Sequence, residues 1–155
     1  MSRAPARLFL TVQYAVAPRG LPARALLRRW AKAALLPATR RAAITLRFVG
    51  SAEGRELNRR YRSQRHATNV LSFVYDDERG TCGGDIVLCA PVLRREAAAQ
   101  GKPVTAHCAH LLVHGVLHLQ GADHQDPDDA ARMEAREISI LARLGFPDPY
   151  QPRER

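Results

Sequence analysis

The stretch His114-Gly-Val-Leu-His118-Leu-Gln-Gly121-Ala-Asp123-His124 determines how the rest of the chain is interpreted. If the apolar run before it is a helix, His114 and His118 lie four residues apart on one face, roughly 6 Å along the axis. Two imidazoles at that spacing can bind one metal ion without bending the backbone. Gly121 can adopt the left-handed conformation that ends a helix, and the reversal it allows carries His124 back towards the first two. The stretch therefore predicts a helix that bears a metal site with three histidine ligands.

Three neutral histidines leave the fourth position of a tetrahedral zinc site open for water, as in catalytic rather than structural sites. The spacing matches the zinc peptidase pattern H-E-x-x-H-x-x-G-x-x-H, in which the glutamate is the general base. Gly115 occupies that position here and cannot move a proton. The sequence thus keeps the metal ligands of a hydrolase without the peptidase base. A metallopeptidase or another zinc hydrolase is nevertheless one alternative.

At these residues the chain resembles the YbeY family of endoribonucleases and ribosomal-RNA maturation factors. The sequence motif of that family is H-G-x-L-H-L-x-G-x-D-H, and every fixed residue of the motif is present here. The resemblance implies a zinc-dependent, single-strand-specific endoribonuclease in ribosomal-RNA maturation and ribosome quality control. It also implies one Zn²⁺ held by His114, His118, His124 and water. The implied partners are single-stranded RNA, ribosomal-RNA precursor and the small ribosomal subunit or its assembly factors. The alternative to an enzyme is a non-catalytic, zinc-stabilised assembly factor that binds RNA.

An arginine-rich connection offers four candidates for contact with nucleic acid, Arg59, Arg60, Arg62 and Arg65. A guanidinium suits phosphate because its planar fork grips two oxygens and stays charged. The residues alone do not choose among the four. The resemblance selects Arg62 as catalytic, because the family carries an arginine before a T-N/D-V-L-S-F segment that residues 68–73 match. The chain departs from the family pattern at Ala67 and Val74, where the family commonly has proline, and this concerns loop shape more than chemistry.

The predicted helix carries four histidines, which fall within a stripe of about 80° at ~100° per residue: His107, His110, His114 and His118. By spacing alone, His110 and His114 could equally form the metal-binding pair. The turn at Gly121 favours the last two histidines, because His124 follows it directly and reaches only the end of the helix. We therefore predict His114, His118 and His124 as the ligands.

Three other residues near the ligands have supporting or structural interpretations. We expect His107 and His110 to pack in the interior or to hydrogen-bond to a ligand. Asp123 either orients a ligand histidine or accepts a proton from metal-bound water, or it is simply a turn residue after Gly121. Cys108 lies on the same helix but about 240° round from His114, or about 120° the shorter way, which argues against its being a ligand.

The formal net charge is +9, and it is unevenly distributed along the chain. Residues 1–75 contain 15 Arg or Lys against 2 acidic residues, whereas residues 76–155 contain 9 against 13. A basic surface for a phosphate backbone is the functional interpretation. A GC-rich coding bias would explain the preference for Arg over Lys, but not why acidic residues avoid the first half.

Composition points to a cytoplasmic globular protein. An apolar content of 46% with 25% charged residues is typical of that class. No apolar run approaches the 18 or more residues of a membrane span, and the apolar run from Leu8 is too short for a signal peptide. We therefore expect no association with a membrane. The sequence contains no C-x-x-C pair among Cys82, Cys89 and Cys108, so we expect reduced, buried thiols rather than disulfides.

Alternating and helical periodicities predict one α/β (α+β-like) domain over 1–155, with a four-stranded mixed sheet, about five helices and the metal site on a central histidine-bearing helix. The expected strands are 8–16, 44–49, 68–75 and 83–89. The expected helices are 22–36, 51–61, 91–101, 103–120 and 127–145, and 146–155 is expected to be a surface tail.

Overall fold

A computed structural model of the chain describes residues 5–60, 70–76, 80–122 and 126–151. Its nine elements follow in the order predicted from sequence. The strands are β1 Arg7–Tyr14, β2 Arg41–Val49, β3 Val70–Asp76 and β4 Thr81–Cys89. The helices are α1 Arg24–Ala33, α2 Ser51–Arg60, α3 Ala90–Ala99, α4 Val104–Leu119 and α5 Pro127–Arg143.

The strands form one mixed sheet in the order β1-β2-β4-β3. β1 pairs with β2 and β2 with β4 in parallel, whereas β3 pairs with β4 antiparallel. The parallel pairs need crossovers, which α1 supplies between β1 and β2. The predicted four-stranded mixed sheet with five helices is confirmed.

One face of the sheet is buried and carries the core. In β2 the side chains of Ala42, Ile44, Leu46 and Phe48 are buried, while the residues that alternate with them up to Arg47 are exposed or partly exposed. This follows from the two-residue period of a strand. Against the buried face lies α4, which contacts β3, β4, α1, α3 and α5. Because it is surrounded by other elements, α4 is apolar around most of its circumference.

Two arginines of α1 protect the open edge of β1. The guanidinium groups of Arg24 and Arg28 donate hydrogen bonds to the backbone carbonyls of Val12 and Leu8, at 3.2 and 3.0 Å. Edge strands expose unpaired backbone groups that invite pairing with other chains. Arg24 and Arg28 therefore have a structural role, and part of the arginine excess of the first half serves the fold.

The segment after α5 is more than the predicted surface tail. The ring of Phe146 packs edge-on against buried Trp30, with ring centroids 5.6 Å apart. Lys102 donates to the carbonyl of Pro149 at 2.9 Å. Tyr150 is 43% exposed, as expected of a surface residue, yet its hydroxyl reaches a buried carboxylate described below. The prediction missed these contacts because their partners lie far away in sequence.

Among the helices of the described ranges, none combines the length and apolarity needed to cross a membrane.

We predict that Gly84→Ala lowers the free energy of unfolding by roughly 3 kcal/mol, the upper part of the usual cost of overpacking. A Cβ at Gly84 would lie 2.2 Å from the carbonyl oxygen of Phe73 and 2.7 Å from Cδ2 of Leu119. The carbonyl belongs to β3, which is hydrogen-bonded to β4, so it cannot move without disturbing the sheet. Urea unfolding followed by circular dichroism measures the loss.

Gly115→Ala is the matched control for this stability measurement. The three atoms nearest to its Cβ would all belong to the side chain of Ile86, the first at 3.1 Å, and that side chain can shift. Replacing glycine inside a helix also gains about 1 kcal/mol of propensity. We expect this variant to stay within about 1 kcal/mol of wild type. Equal stability of both variants would contradict the assigned packing of β3 on β4.

Candidate metal centre

The helix α4 presents His114 and His118 one turn apart, and both are half-buried. The residues between them, Gly115, Val116 and Leu117, are buried against the rest of the core. Within the described part of the chain, the two imidazoles therefore lie on the one side of this helical turn that is partly exposed to solvent. That arrangement fits two ligands of one ion, as the i, i+4 spacing predicts.

The end of α4 is fixed by its own backbone and by a glutamine. Gly121 has φ of 96°, and the amides of Gly121 and Ala122 donate to the carbonyls of His118 and Leu117 at 3.0 and 3.1 Å. These two bonds form a Schellman cap and confirm the predicted left-handed turn. The Gln120 side chain accepts from the Leu36 amide at 2.7 Å. The turn that leads towards residue 124 thus starts from a rigid point.

Glu137 of α5 is the central acceptor beside this helix. Its side chain is 1% exposed, and its Oε2 lies 3.0 Å from Nδ1 of His114. Its Oε1 lies 2.7 Å from Nε2 of His110 and 2.6 Å from the hydroxyl of Tyr150. A buried carboxylate needs several donors to compensate for lost hydration. All three groups therefore donate to Glu137.

Glu137 is ionised in this environment. Burial acts to raise its pKa, but the hydrogen bonds from His110, His114 and Tyr150 outweigh burial and lower the pKa to about 2. Burial and the neighbouring carboxylate of Glu137 raise the pKa of the Tyr150 hydroxyl well above its ordinary value. The tyrosine is therefore a permanent donor, and Glu137 a permanent acceptor, at neutral pH.

The hydrogen bond to Glu137 defines the form of His114 that fits a metal. Because Nδ1 carries the proton that is donated to the carboxylate, the neutral ring has its lone pair on Nε2. Metal-binding histidines commonly donate their other ring nitrogen to a carboxylate in this way. The donor set is therefore chemically suited to a zinc-type ion.

Neither ring nitrogen of His110 is both exposed and uncommitted, as an ion would require. Its Nε2 donates to Glu137, and its Nδ1 is buried without a hydrogen-bond partner in the described ranges. The sequence alone left a pairing of His110 with His114 open, and this arrangement favours His114 with His118. The expectation that His110 hydrogen-bonds near the ligands agrees with its contact to the carboxylate that holds His114.

His107 and Cys108 are packing residues. The His107 ring is 2% exposed, and its Nε2 lies 3.1 Å from Oε1 of Glu96 on α3. Burial outweighs this contact and lowers the pKa of His107. Cys108 is fully buried, and burial raises the pKa of its thiol to about 12. A thiol of that pKa is neither a nucleophile nor a ready metal ligand.

Gly115 faces the sheet rather than the candidate metal centre. The nearest atoms to a Cβ at this position belong to Ile86 of β4, at 3.1 to 3.4 Å. A glutamate side chain at position 115 would be directed into the core. The general base of a peptidase is therefore missing, and a side chain at position 115 would not reach the candidate metal centre. Both observations argue against the peptidase alternative.

Several predicted site residues lie outside the described residues: Arg62, Arg65, Asp123 and His124. Arg59 and Arg60 end α2; both are exposed, and Arg59 is paired with Glu56. Within the described ranges no three His, Cys, Asp or Glu side chains are grouped so as to hold a metal ion. His124, the predicted third ligand, is not among those residues, so the three-histidine set stays a prediction.

Glu137 and Tyr150 are the site residues that sequence analysis missed. A signal for Glu137 was available in α5, whose buried positions are Met133, Glu137, Ile140 and Leu141. A glutamate that continues an apolar stripe at i+4 must be buried, and a buried carboxylate implies polar partners on a facing element. Tyr150 carried no comparable signal.

Comparison with known proteins places the chain among named relatives. A family profile described as Endoribonuclease YbeY matches residues 22–145. A protein of Aromatoleum aromaticum with that name is 56% identical over 150 residues, which are 95% of each chain. One of Nitrosomonas europaea is 53% identical over 143 residues, covering 92% of this chain and 85% of that protein. The solution structure of TM1509 from Thermotoga maritima aligns with a TM-score of 0.53 at 18% identity, covering 92% of this chain and 99% of that one, and supports the fold.

Proposed function

The chain belongs to the YbeY endoribonuclease family, and from this premise we propose that it hydrolyses phosphodiester bonds of single-stranded RNA in a metal-dependent reaction. Its role is in ribosomal-RNA maturation and ribosome quality control, in the cytoplasm, with the small ribosomal subunit or its assembly factors as partner. The metal is one Zn²⁺. The observation that carries the proposal is the His114 ring, whose Nδ1 is 3.0 Å from the buried Glu137 carboxylate.

His114, His118 and His124 would hold the ion, each as a neutral imidazole. When bound, zinc supplies a water molecule whose pKa is lowered to about 7 and a Lewis acid beside the phosphoryl oxygen. The surrounding elements keep the two helical ligands in place, because the residues between them, Gly115, Val116 and Leu117, are buried in the core. A preformed pair of ligands loses little conformational entropy on binding the ion.

The role of Arg62 is to bind the scissile phosphate and to stabilise the charge that develops on it. A guanidinium remains charged at any working pH and can donate two parallel hydrogen bonds to phosphate oxygens. Arg59, Arg60 and Arg65 are the neighbouring candidates for contact with the rest of the RNA backbone. Such contacts fix the position of the strand without selecting its sequence.

The proposal is tested by metal removal and restoration. Purified protein is assayed on a labelled single-stranded RNA, on the same RNA as a duplex, and on casein. We expect cleavage of the single strand only, its loss after treatment with a chelator, and its return when Zn²⁺ is added. Cleavage that is equal before and after chelation would contradict a metal-dependent enzyme. Casein hydrolysis restored by zinc would instead favour the peptidase.

A further inference from the structure

Glu137 joins two histidines of α4 and the C-terminal segment through one buried side chain. Its two oxygens receive three donors, which are His114 on Oε2 and both His110 and Tyr150 on Oε1. The donors come from two separate parts of the chain, while the acceptor lies on α5. A carboxylate held at both oxygens cannot rotate to present a different edge to His114.

The contacts of His110 and Tyr150 are organised around this carboxylate. His110 gives its Nε2 proton to Glu137 although its Nδ1 is then buried without a partner in the described residues. A buried acceptor left unpaired has a cost, which the hydrogen bond from Nε2 to the charged carboxylate offsets. The Tyr150 ring packs edge-on against His110 at a centroid distance of 5.2 Å, so the two donors also support each other.

We propose that Glu137 is a positioning residue for the metal ligand His114, and that His110 and Tyr150 hold its carboxylate in the orientation that keeps the His114 proton on Nδ1. This inference rests on the metal site of the proposed function and deepens it. The carboxylate fixes the ring orientation and the tautomer of the ligand and increases its basicity. The C-terminal segment is thereby linked to the affinity of the site for metal.

Metal affinity and ligand tautomer test the proposal without any RNA. Glu137→Gln keeps the shape but leaves one acceptor oxygen for three donors. We expect its zinc dissociation constant, measured by competition with a chromogenic chelator, to rise about 10- to 100-fold. Tyr150→Phe removes one donor and is expected to raise the constant roughly threefold, since one hydrogen bond to a charged group is lost while His110 stays.

Two matched controls separate this role from general stability. Glu134→Gln changes an exposed glutamate of the same helix. Tyr14→Phe removes another hydroxyl that donates a 2.6 Å hydrogen bond, here to the carbonyl of Pro22. Both controls should bind zinc within about twofold of wild type, a difference worth less than about 0.5 kcal/mol. Thermal unfolding of the metal-free proteins checks that every variant is folded.

A measurement on the wild type keeps the proposal falsifiable if Glu137→Gln fails to fold. Long-range proton–nitrogen correlation spectra of the metal-free protein should show His114 with a protonated Nδ1 and an unprotonated Nε2. The opposite tautomer would overturn the proposal, and so would a folded Glu137→Gln variant with unchanged zinc affinity. Neither of these two results would contradict the proposed activity if the wild-type protein still cuts RNA in the presence of zinc. Loss of the proposed activity alone would leave the tautomer result intact.

Discussion

His118→Ala is expected to remove bound metal and to reduce RNA cleavage to the uncatalysed background, which is the largest functional loss we predict for one substitution. The residue supplies one of three imidazoles, and two remaining ligands hold a zinc ion far more weakly than three. Much of the RNA affinity should survive, because contacts to the phosphate backbone are spread over many arginines. Metal analysis, single-turnover cleavage and filter binding measure the three quantities.

The control for this substitution is Thr105→Ala, an exposed position on the same helix. It should retain metal and cleavage at wild-type levels. Near-stoichiometric zinc in the His118→Ala protein would contradict the predicted ligand set. Trace cleavage of equal rate in wild type and His118→Ala would indicate a contaminating ribonuclease, and the enzyme assignment would then fall.

Arg62→Ala is expected to reduce cleavage by about 10²- to 10³-fold, the usual loss when one donor to a developing charge is removed. Zinc content and folding should be unchanged, because the residue is not a predicted ligand. Arg62→Lys should recover only part of the rate, since a point charge cannot reproduce a two-point grip on phosphate. Single-turnover kinetics on single-stranded RNA with all three proteins give these values.

Arg60→Ala is the matched control, an arginine that is exposed at the end of α2. In an enzyme with Arg62 at the scissile phosphate, this control should weaken RNA binding modestly and leave the cleavage step nearly intact. If both alanine variants weaken binding to the same small extent, and no preparation cuts RNA, the chain is a binding factor instead.

The fold could be predicted from sequence because its elements carry clear local signals. β2 alternates buried and exposed side chains, and α5 begins with Asp126, whose side chain accepts a hydrogen bond from the Asp129 amide at 2.9 Å, followed by a proline at the first helical position. Gly121 ends α4 as its left-handed preference predicts. Such signals act over a few residues, so one sequence is enough to detect them.

The support of the candidate site was not predictable in the same way. Glu137 is 23 residues from His114 in sequence, and Tyr150 is 40 residues from His110. Only the packing of α5 and the C-terminal segment on α4 brings these groups together. The sequence could suggest that Glu137 is buried, from its place in an apolar stripe, but not which donor it meets. The spacing of the ligands can be read from the local sequence, whereas the residue that hydrogen-bonds to a ligand is determined by tertiary packing.

The strand order β1-β2-β4-β3 has a consequence for synthesis of the chain. β1, α1 and β2 can assemble first, yet the second edge of β2 has no partner until β4, which ends at Cys89, has emerged. β3 pairs with β4 and not with β2, so it cannot cover that edge in advance. Nascent chains that contain only the first three strands therefore present an open parallel edge, which exposes them to aggregation and chaperone capture. Docking of β4 onto β2 is the step that ends this exposure.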